Sequence, residues 1–222
     1  MGSIKFAIFD VGQTIYHFSL RPLNDLLYHQ TTEPKTFMQK HAAFHYDYKP
    51  YMKGLISHQE FVRDLCSFCH VPYSADILLQ INKALHLGCS APFKETLQAM
   101  QQLNRHSIEI GILSNALPIL SDTKIDIVKP EYAFTSYQLG YLKPDLKIYQ
   151  EMTRILGCQY NEILFIDDKK QNIEAAQTLG IKGIIYNRNT ILDEISFYLP
   201  ERYDRLSKDA THTDVHLFDK SR

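Results

Sequence analysis

Short apolar runs that end on polar residues recur along the chain, and the clearest of them is Ile4 to Phe9. This run carries one charge, Lys5, and ends on Asp10. Its β-branched and aromatic residues are typical of a strand that is buried on both faces of a sheet. A loop is predicted to begin at Val11. We therefore expect the Asp10 carboxylate at the carboxyl end of a buried strand, where open α/β sheets bind their ligands.

Four later runs have the same character and are separated by segments with helical periodicity. The predicted strands cover residues 108–113, 132–135, 163–166 and 181–186. In the intervening helices, apolar residues recur every three or four positions, as in Leu97, Met100 and Leu103. Strands that alternate with helices predict an α/β fold with a doubly wound parallel sheet, because each right-handed crossover needs a helix to return the chain to the same edge.

Residues 16–90 follow a different pattern, with apolar and aromatic side chains at helical spacing and no strand-like run. We predict three or four short helices there. One begins at a capping box formed by Ser57 and Glu60, and another runs from Ser74 to Leu87. The segment is interpreted as a helical insertion between residues 1–15 and 91–222, which together form the α/β core domain. Beyond Pro200 the tail is polar and is expected to add little to the core.

Composition and charge favour a small-molecule substrate. The 222 residues are 45% hydrophobic, which is enough for one good core and a small second lobe. Lys and Arg number 24 against 25 Asp and Glu, so the net charge is -1, and no basic block indicates nucleic acid or an anionic membrane surface. No apolar run approaches the length of a membrane span and no export signal is recognisable, so we predict a cytoplasmic protein.

The four cysteines are predicted to be free thiols, as is usual without an export signal. The segment Cys66 to His70 matches the spacing of covalent haem attachment. However, it continues a helical apolar pattern that includes Leu65 and Phe68, so two partly buried helix cysteines are the favoured interpretation.

Polar residues follow three of the predicted strands: Asp10, then Ser114 with Asn115, then Asp167 with Asp168. Lys143 lies on a loop, where Pro144 biases it toward an extended conformation. Each has an ordinary alternative: a turn at Ser114, a surface cation at Lys143, and a helix N-terminus at Asp167 and Asp168.

Taken together, these residues can converge on one crevice, where clustered carboxylates would repel one another without a cation. Oxygen-only ligands suit Mg²⁺. A hydroxyl, an ammonium and a metal around one Asp would form a phosphate site with a carboxylate nucleophile.

The same residues resemble the four motifs of the haloacid dehalogenase superfamily. The motifs are Asp10 to Thr14, Ser114-Asn115, Lys143 to Asp145, and Phe165 to Asp168 with the helix that follows. The resemblance covers about residues 4 to 187 and implies a helical cap, residues 16–90, inserted after the first motif. The run from Gly54 to Phe61 is similar to the caps of the sugar-phosphate phosphatase-like branch.

This resemblance implies a role for each matching position. Asp10 would be the nucleophile that forms an aspartyl-phosphate, and Lys143 would offset its negative charge. The substrate phosphate would be held by Ser114, Asn115 and Lys143. A small phosphorylated metabolite would be the substrate.

The resemblance also implies a Mg²⁺ ion bound by the Asp10 carboxylate, the Gly12 backbone carbonyl and one or both of Asp167 and Asp168. Phosphatases of the superfamily usually carry a second Asp, the general acid and base, at the position that Gly12 holds here. Gln13 would then have to orient the attacking water, or the cap or the substrate would have to supply the proton.

Three functions are therefore considered. The first is a Mg²⁺-dependent phosphatase. The second is a catalytically weak or inactive relative that binds a phosphorylated ligand or a protein partner, which Gly12 favours. The third is a 2-haloacid dehalogenase, which the Asp167 and Asp168 pair disfavours because those enzymes need no Mg²⁺.

Overall fold

The computed structural model describes residues 3–40, 42–120 and 128–199, and the predicted polar tail after Pro200 lies outside them. The strands in chain order are β1 (Phe6–Phe9), β2 (Tyr16–Phe18), β3 (Cys89–Pro92), β4 (Glu109–Ser114), β5 (Ala133–Thr135), β6 (Ile163–Asp167) and β7 (Lys182–Ile185). Five of them form one sheet in the order β5-β4-β1-β6-β7. All neighbouring pairs are parallel, which confirms the predicted α/β sheet.

The described helices fall into two groups. Six precede β3: α1 (Arg21–Gln30), α2 (Pro34–Lys40), α3 (Ala42–His45), α4 (Lys49–Met52), α5 (His58–Phe68) and α6 (Ala75–Leu87). Five follow it: α7 (Lys94–Arg105), α8 (Ser136–Leu139), α9 (Leu146–Leu156), α10 (Lys170–Thr178) and α11 (Ile191–Ser196). None of the helices in the described ranges combines the length and the apolarity that a bilayer crossing requires.

The sheet separates two hydrophobic cores. Successive side chains of a strand point to opposite faces. In β1, accordingly, Ala7 and Phe9 pack in the core that contains Leu103 of α7, whereas Ile8 packs in the core that contains Tyr149 of α9. Because β1 is covered on both faces, it is apolar at every position, which is the pattern that made it recognisable in the sequence.

The six helices α1 to α6, called the helical region below, surround a third core, to which the segment after β4 adds Leu117. It includes Leu23, Leu27, Phe61, Leu65 and Ile81. The sequence predicts only three or four helices here, because α3 and α4 are four residues long and a single turn leaves no recognisable periodicity.

Two helix starts in the helical region are capped by serine side chains, the first by the predicted capping box and the second by Ser74, which the sequence analysis had placed inside the helix. At the start of α5, the Ser57 side chain accepts a hydrogen bond from the Glu60 backbone N–H, and the Glu60 side chain accepts one from the Ser57 N–H. At the start of α6, the Ser74 side chain accepts from the Ile77 N–H. All three hydrogen bonds satisfy N–H groups that have no partner within the helix.

A two-stranded antiparallel ribbon of β2 and β3, called the ribbon below, joins the helical region to the sheet. It is extended by a hydrogen bond of 2.9 Å from the Ser19 N–H to the Gly88 carbonyl oxygen. A Cβ on Gly88 would lie 2.3 Å from the Ser19 carbonyl oxygen, so only glycine allows this close approach. The sequence analysis missed the ribbon because its strands are largely exposed, and His17, Ser90 and Pro92 leave no continuous apolar run.

Candidate active site

Asp10 lies at the carboxyl end of the central strand. Its backbone N–H donates to the Ile166 carbonyl oxygen at 2.7 Å, which continues the β1–β6 pairing by one residue. Neighbouring strands β4 and β6 end at Ser114 and Asp167. The sheet therefore brings these three predicted site residues to one edge.

Lys143 is the centre of the charged cluster. Its Nζ atom lies 2.5 Å from Asp10 Oδ1, 2.7 Å from Asp167 Oδ2 and 2.6 Å from the Leu113 carbonyl oxygen. The side chain is 1% exposed. Desolvation acts to lower the pKa of Lys143, but the two carboxylates outweigh it and the pKa is raised. All three donor positions of this ammonium are thus used inside the protein.

Asn115 holds the segment that carries Lys143. Its Nδ2 donates to the Lys143 carbonyl oxygen at 3.0 Å, and its Oδ1 accepts from the Lys143 N–H at 2.9 Å. The resemblance assigns Asn115 to phosphate binding, whereas in this structure both polar atoms of its side chain are bonded to the Lys143 backbone. The buried Ser114, which ends β4, lines the adjacent cavity.

Asp167 is fully buried and both of its carboxylate oxygens are occupied. Besides Lys143, it accepts a hydrogen bond of 2.8 Å from the Lys169 N–H. Asn172 Nδ2 lies 2.9 Å from each of its oxygens. The Asn172 backbone carbonyl is in turn held by the Tyr149 hydroxyl at 2.9 Å. The sequence analysis did not predict this contact between Asn172 and Asp167.

Three carboxylates form a group that could hold a cation. Oxygen atoms of Asp10, Asp167 and Asp168 all lie within 4.8 Å of one another. Burial raises the pKa of Asp10 to about 6, with Lys143 opposing and Asp167 adding to the effect. Burial, and then the charge of Asp167, raises the pKa of Asp168. Carboxylate oxygens are the ligands that a hard cation such as Mg²⁺ prefers, so this group fits a Mg²⁺ site.

Gly12 lies beside this group and lines the cavity, as does Gln13. A Cβ built on Gly12 would meet none of the described residues within 4 Å, so the position has room for a side chain. The Gln13 side chain is already engaged: its Nε2 donates to the Phe18 carbonyl oxygen at 2.8 Å, and its Oε1 lies 2.8 Å from His17 Nδ1. Gln13 is therefore not free to orient a water as the sequence analysis considered.

A cavity of about 350 Å³ opens above Asp10. Its floor contains Asp10, Ser114 and Lys143, and most of its walls are apolar. The wall residues were not identified from the sequence, because an apolar residue that faces a cavity has the same local pattern as one that faces a core. Their positions are Tyr16, Phe18, Leu20, Tyr48, Met52, Ile112, Ala116, Leu117 and Leu120.

Cys66 and Cys69 pack in the interior, as expected for the interpretation of this segment as a helix with buried cysteines. Cys66 lies within α5 and Cys69 directly after it, both buried and both free thiols. Burial raises the pKa of Cys66 to about 11 and that of Cys69 to about 12. Such thiols are packing residues of the helical region rather than nucleophiles.

Comparisons with known proteins give several relatives of this chain. The chain is 26% identical over 175 residues to a 4-hydroxy-tetrahydrodipicolinate reductase of Helicobacter pylori, covering 74% of this chain and 68% of that protein. It is 23% identical over 195 residues to the sesquiterpene phosphatase astK of Aspergillus oryzae, covering 82% and 89%. Several other curated relatives are matched over half of their length or less.

A solved structure of similar fold is that of an enzyme from Bacteroides thetaiotaomicron in complex with magnesium and inorganic phosphate. The TM-score is 0.68 at 23% identity, with 84% of this chain and 96% of that chain covered. The family model for haloacid dehalogenase-like hydrolases matches residues 8–186, which include the sheet, the helical region and all the clustered polar residues. The chain therefore belongs to the haloacid dehalogenase-like hydrolase family.

Proposed function

We propose that the protein is a Mg²⁺-dependent phosphatase of small phosphorylated metabolites that acts through an aspartyl-phosphate on Asp10. The observation that carries the proposal is the buried ammonium of Lys143 between two carboxylates on the floor of a cavity. Relatives named as phosphatases and the fold neighbour that contains magnesium and phosphate support it. The four free cysteines support a cytoplasmic location.

In the first step, a carboxylate oxygen of Asp10 forms a bond to the phosphorus atom, and the ester bond to the leaving group breaks. The leaving oxygen then takes up a proton from water, because Gly12 has no side chain to supply one. Lys143 would limit the repulsion between Asp10 and the incoming phosphate, and the Ser114 hydroxyl would donate to a phosphate oxygen. In the second step, water attacks the phosphorus of the aspartyl-phosphate, inorganic phosphate leaves, and the Asp10 carboxylate is restored.

The residues that would hold Mg²⁺ are Asp10, the Gly12 backbone carbonyl and Asp168. Asp167 already has both oxygens hydrogen-bonded, so we assign it chiefly to holding Lys143. The partly exposed Asp168 is better placed as a direct ligand. When bound, the ion would neutralise charge on the phosphate and the surrounding carboxylates.

We further propose that residues 16–90 act as a cap over a core formed by residues 1–15 and 91–222. The separate hydrophobic core of the helical region supports this division. So does the cavity, whose walls include Leu20, Tyr48 and Met52 from the inserted segment.

A second function, binding of a phosphorylated ligand without turnover, is favoured by one observation. Gly12 supplies no proton donor where phosphatase relatives usually have an Asp, and the side chain of Gln13 is engaged elsewhere.

The test is a screen of acetyl phosphate, aryl phosphates and phosphorylated metabolites with Mg²⁺ and with EDTA, using Asp10→Asn as the control. We expect Mg²⁺-dependent phosphate release by the native chain alone. Mg²⁺ binding with no turnover of any substrate would leave the binding protein as the function.

A further inference from the structure

We infer that the substrate is a phosphate monoester with an apolar leaving group, such as a hydrophobic alcohol or phenol, rather than a sugar or another polyol. This inference rests on the proposed function, because it takes the phosphate to lie beside Asp10. It concerns the walls of the cavity, which take no part in the chemistry of the floor.

The walls are apolar on both sides. The inserted segment contributes Phe18, Leu20, Tyr48 and Met52, and the core contributes Ile112, Ala116, Leu117 and Leu120. A group that leaves from phosphate on Asp10 must pass into this space, because the sheet closes the other side of the carboxylate.

Four polar side chains of the cavity lining, those of Tyr48, Thr135, Gln13 and Asn115, already have partners within the protein. The Tyr48 hydroxyl donates to the Ala43 carbonyl oxygen at 2.7 Å. Thr135 Oγ1 donates to Gln138 Oε1 at 2.6 Å. The amides of Gln13 and Asn115 are paired as described above. A sugar hydroxyl that entered this space would lose hydrogen bonds to water and find these groups occupied.

The distribution of charge excludes a second anionic group at the far end of the ligand. Among the described residues that line the cavity, the only cationic side chains are Lys143 and Lys169, and both lie near the acidic cluster. A diphosphorylated sugar or a carboxylated ester would thus have one unpaired charge against apolar walls.

The apolar walls should give a strong preference for apolar over hydroxylated leaving groups. Each methylene group that is transferred from water into the cavity should strengthen binding by about four-fold. Each hydroxyl that is buried without a partner should weaken it by roughly five- to a hundred-fold.

The experiment compares two aryl phosphates that differ only in polarity: 4-propylphenyl phosphate and 4-(2,3-dihydroxypropyl)phenyl phosphate. Their phenols have closely similar acidity, so the chemical step should be alike. We expect kcat/KM with Mg²⁺ to be at least ten-fold higher for the propyl compound. Calorimetric titration of the Asp10→Asn variant with the same two esters measures the preference without turnover.

A wall variant and a matched control connect the preference to the cavity. Met52→Gln puts an amide of similar shape into the wall, and the ratio of propyl to dihydroxypropyl activity should fall at least three-fold. Met38→Gln makes the same change at a methionine that is 56% exposed and does not line the cavity, and the ratio should not change. Thermal unfolding of both variants verifies that they are folded.

The two proposals can fail separately. Hydrolysis of both esters at equal rates, or faster hydrolysis of the dihydroxypropyl compound, overturns the proposal of an apolar leaving group. The proposed phosphatase activity is supported by the same result. Absence of hydrolysis with tighter calorimetric binding of the propyl ester supports the apolar site and overturns the phosphatase. Equal calorimetric affinities without hydrolysis overturn both.

Discussion

The floor and the walls of the cavity are built in opposite ways. At the floor, Asp10 and Lys143 are buried, and the Lys143 ammonium lies 2.5 Å from Asp10 and 2.7 Å from the underlying Asp167. In the walls, most of the described side chains are apolar, and the cationic Lys169 lies near the floor.

Under the proposed function, this difference divides reaction and selectivity between separate segments of the chain. The floor is made by residues at the ends of three parallel strands and one loop. The walls come from the ribbon, from the helical region and from the turn after β4. A change to the floor should therefore affect every substrate, whereas a change to the walls should affect substrates according to their polarity.

The largest expected effect comes from Asp10→Asn, which removes the proposed nucleophile from the floor. Turnover of all phosphate esters should fall below detection, because an amide oxygen does not form the aspartyl-phosphate. The fold should persist, since Asn can still accept a hydrogen bond from Lys143 and one repelling carboxylate is lost. Phosphate release and thermal unfolding measure the two effects.

The control for this variant is Asp25→Asn, the same change at an exposed residue of α1 that does not line the cavity. It should retain the native rate. Full activity in the Asp10→Asn variant would exclude the covalent mechanism.

The next largest effect concerns general acid catalysis, for which Gly12 supplies no side chain. General acid catalysis contributes about 10²- to 10⁴-fold, so the native chain should cleave aryl and acyl phosphates far faster than alkyl phosphates. The aspartyl-phosphate should accumulate and produce a burst. Gly12→Asp should raise the alkyl phosphate rate by about 10²-fold, because the position has room for a side chain.

Gly12→Asn is the matched control, with the same shape and no acidic proton, and should give no such gain. Similar native rates on alkyl and aryl phosphates without a burst would mean that another group supplies the proton.

A smaller effect should distinguish the two acidic residues after β6. Asp168→Asn should weaken Mg²⁺ binding about ten-fold or more, and by more than Asp167→Asn does, because Asp167 is already hydrogen-bonded at both oxygens. Calorimetric Mg²⁺ titrations and reactivation after EDTA give the two affinities. Unchanged Mg²⁺ affinity in both variants would contradict the metal site.

The smallest effect on chemistry is expected from Gly88→Ala in the ribbon. The added methyl group would contact the Ser19 carbonyl, so stability should fall by roughly 1 to 3 kcal/mol. Acetyl phosphate turnover, which depends on the floor, should change less than the preference for apolar over polar aryl esters. Denaturant unfolding and paired kinetic assays measure this, and an equal loss on all substrates would count against separate roles for floor and walls.

The sequence predicted the floor better than the walls for a physical reason. Asp10 and Asp167 end continuous apolar runs, so their place at the sheet edge could be inferred from a few neighbouring residues. The contacts of Asn115 with Lys143 and of Asn172 with Asp167 depend on how separate segments meet in space.

The same limit applies to the fold. The five parallel strands were predicted from short apolar runs, which are most continuous in β1 and β6, where both faces are covered. The ribbon was missed because its strands are largely exposed and polar, and α3 and α4 were missed because a single helical turn shows no periodicity. For the walls, Leu20 and Met52 carry no local signal that separates lining a cavity from packing in a core.

The ribbon makes the segment between its strands exchangeable. The chain departs at Ser19 and returns at Gly88, and the two backbones are joined there by a hydrogen bond of 2.9 Å. Since the endpoints stay adjacent whatever lies between them, a longer, shorter or unrelated insert could be grafted across this junction without altering the order of the parallel strands. An exchanged insert could then change which substrates the cavity accepts, while the residues of the floor stayed the same.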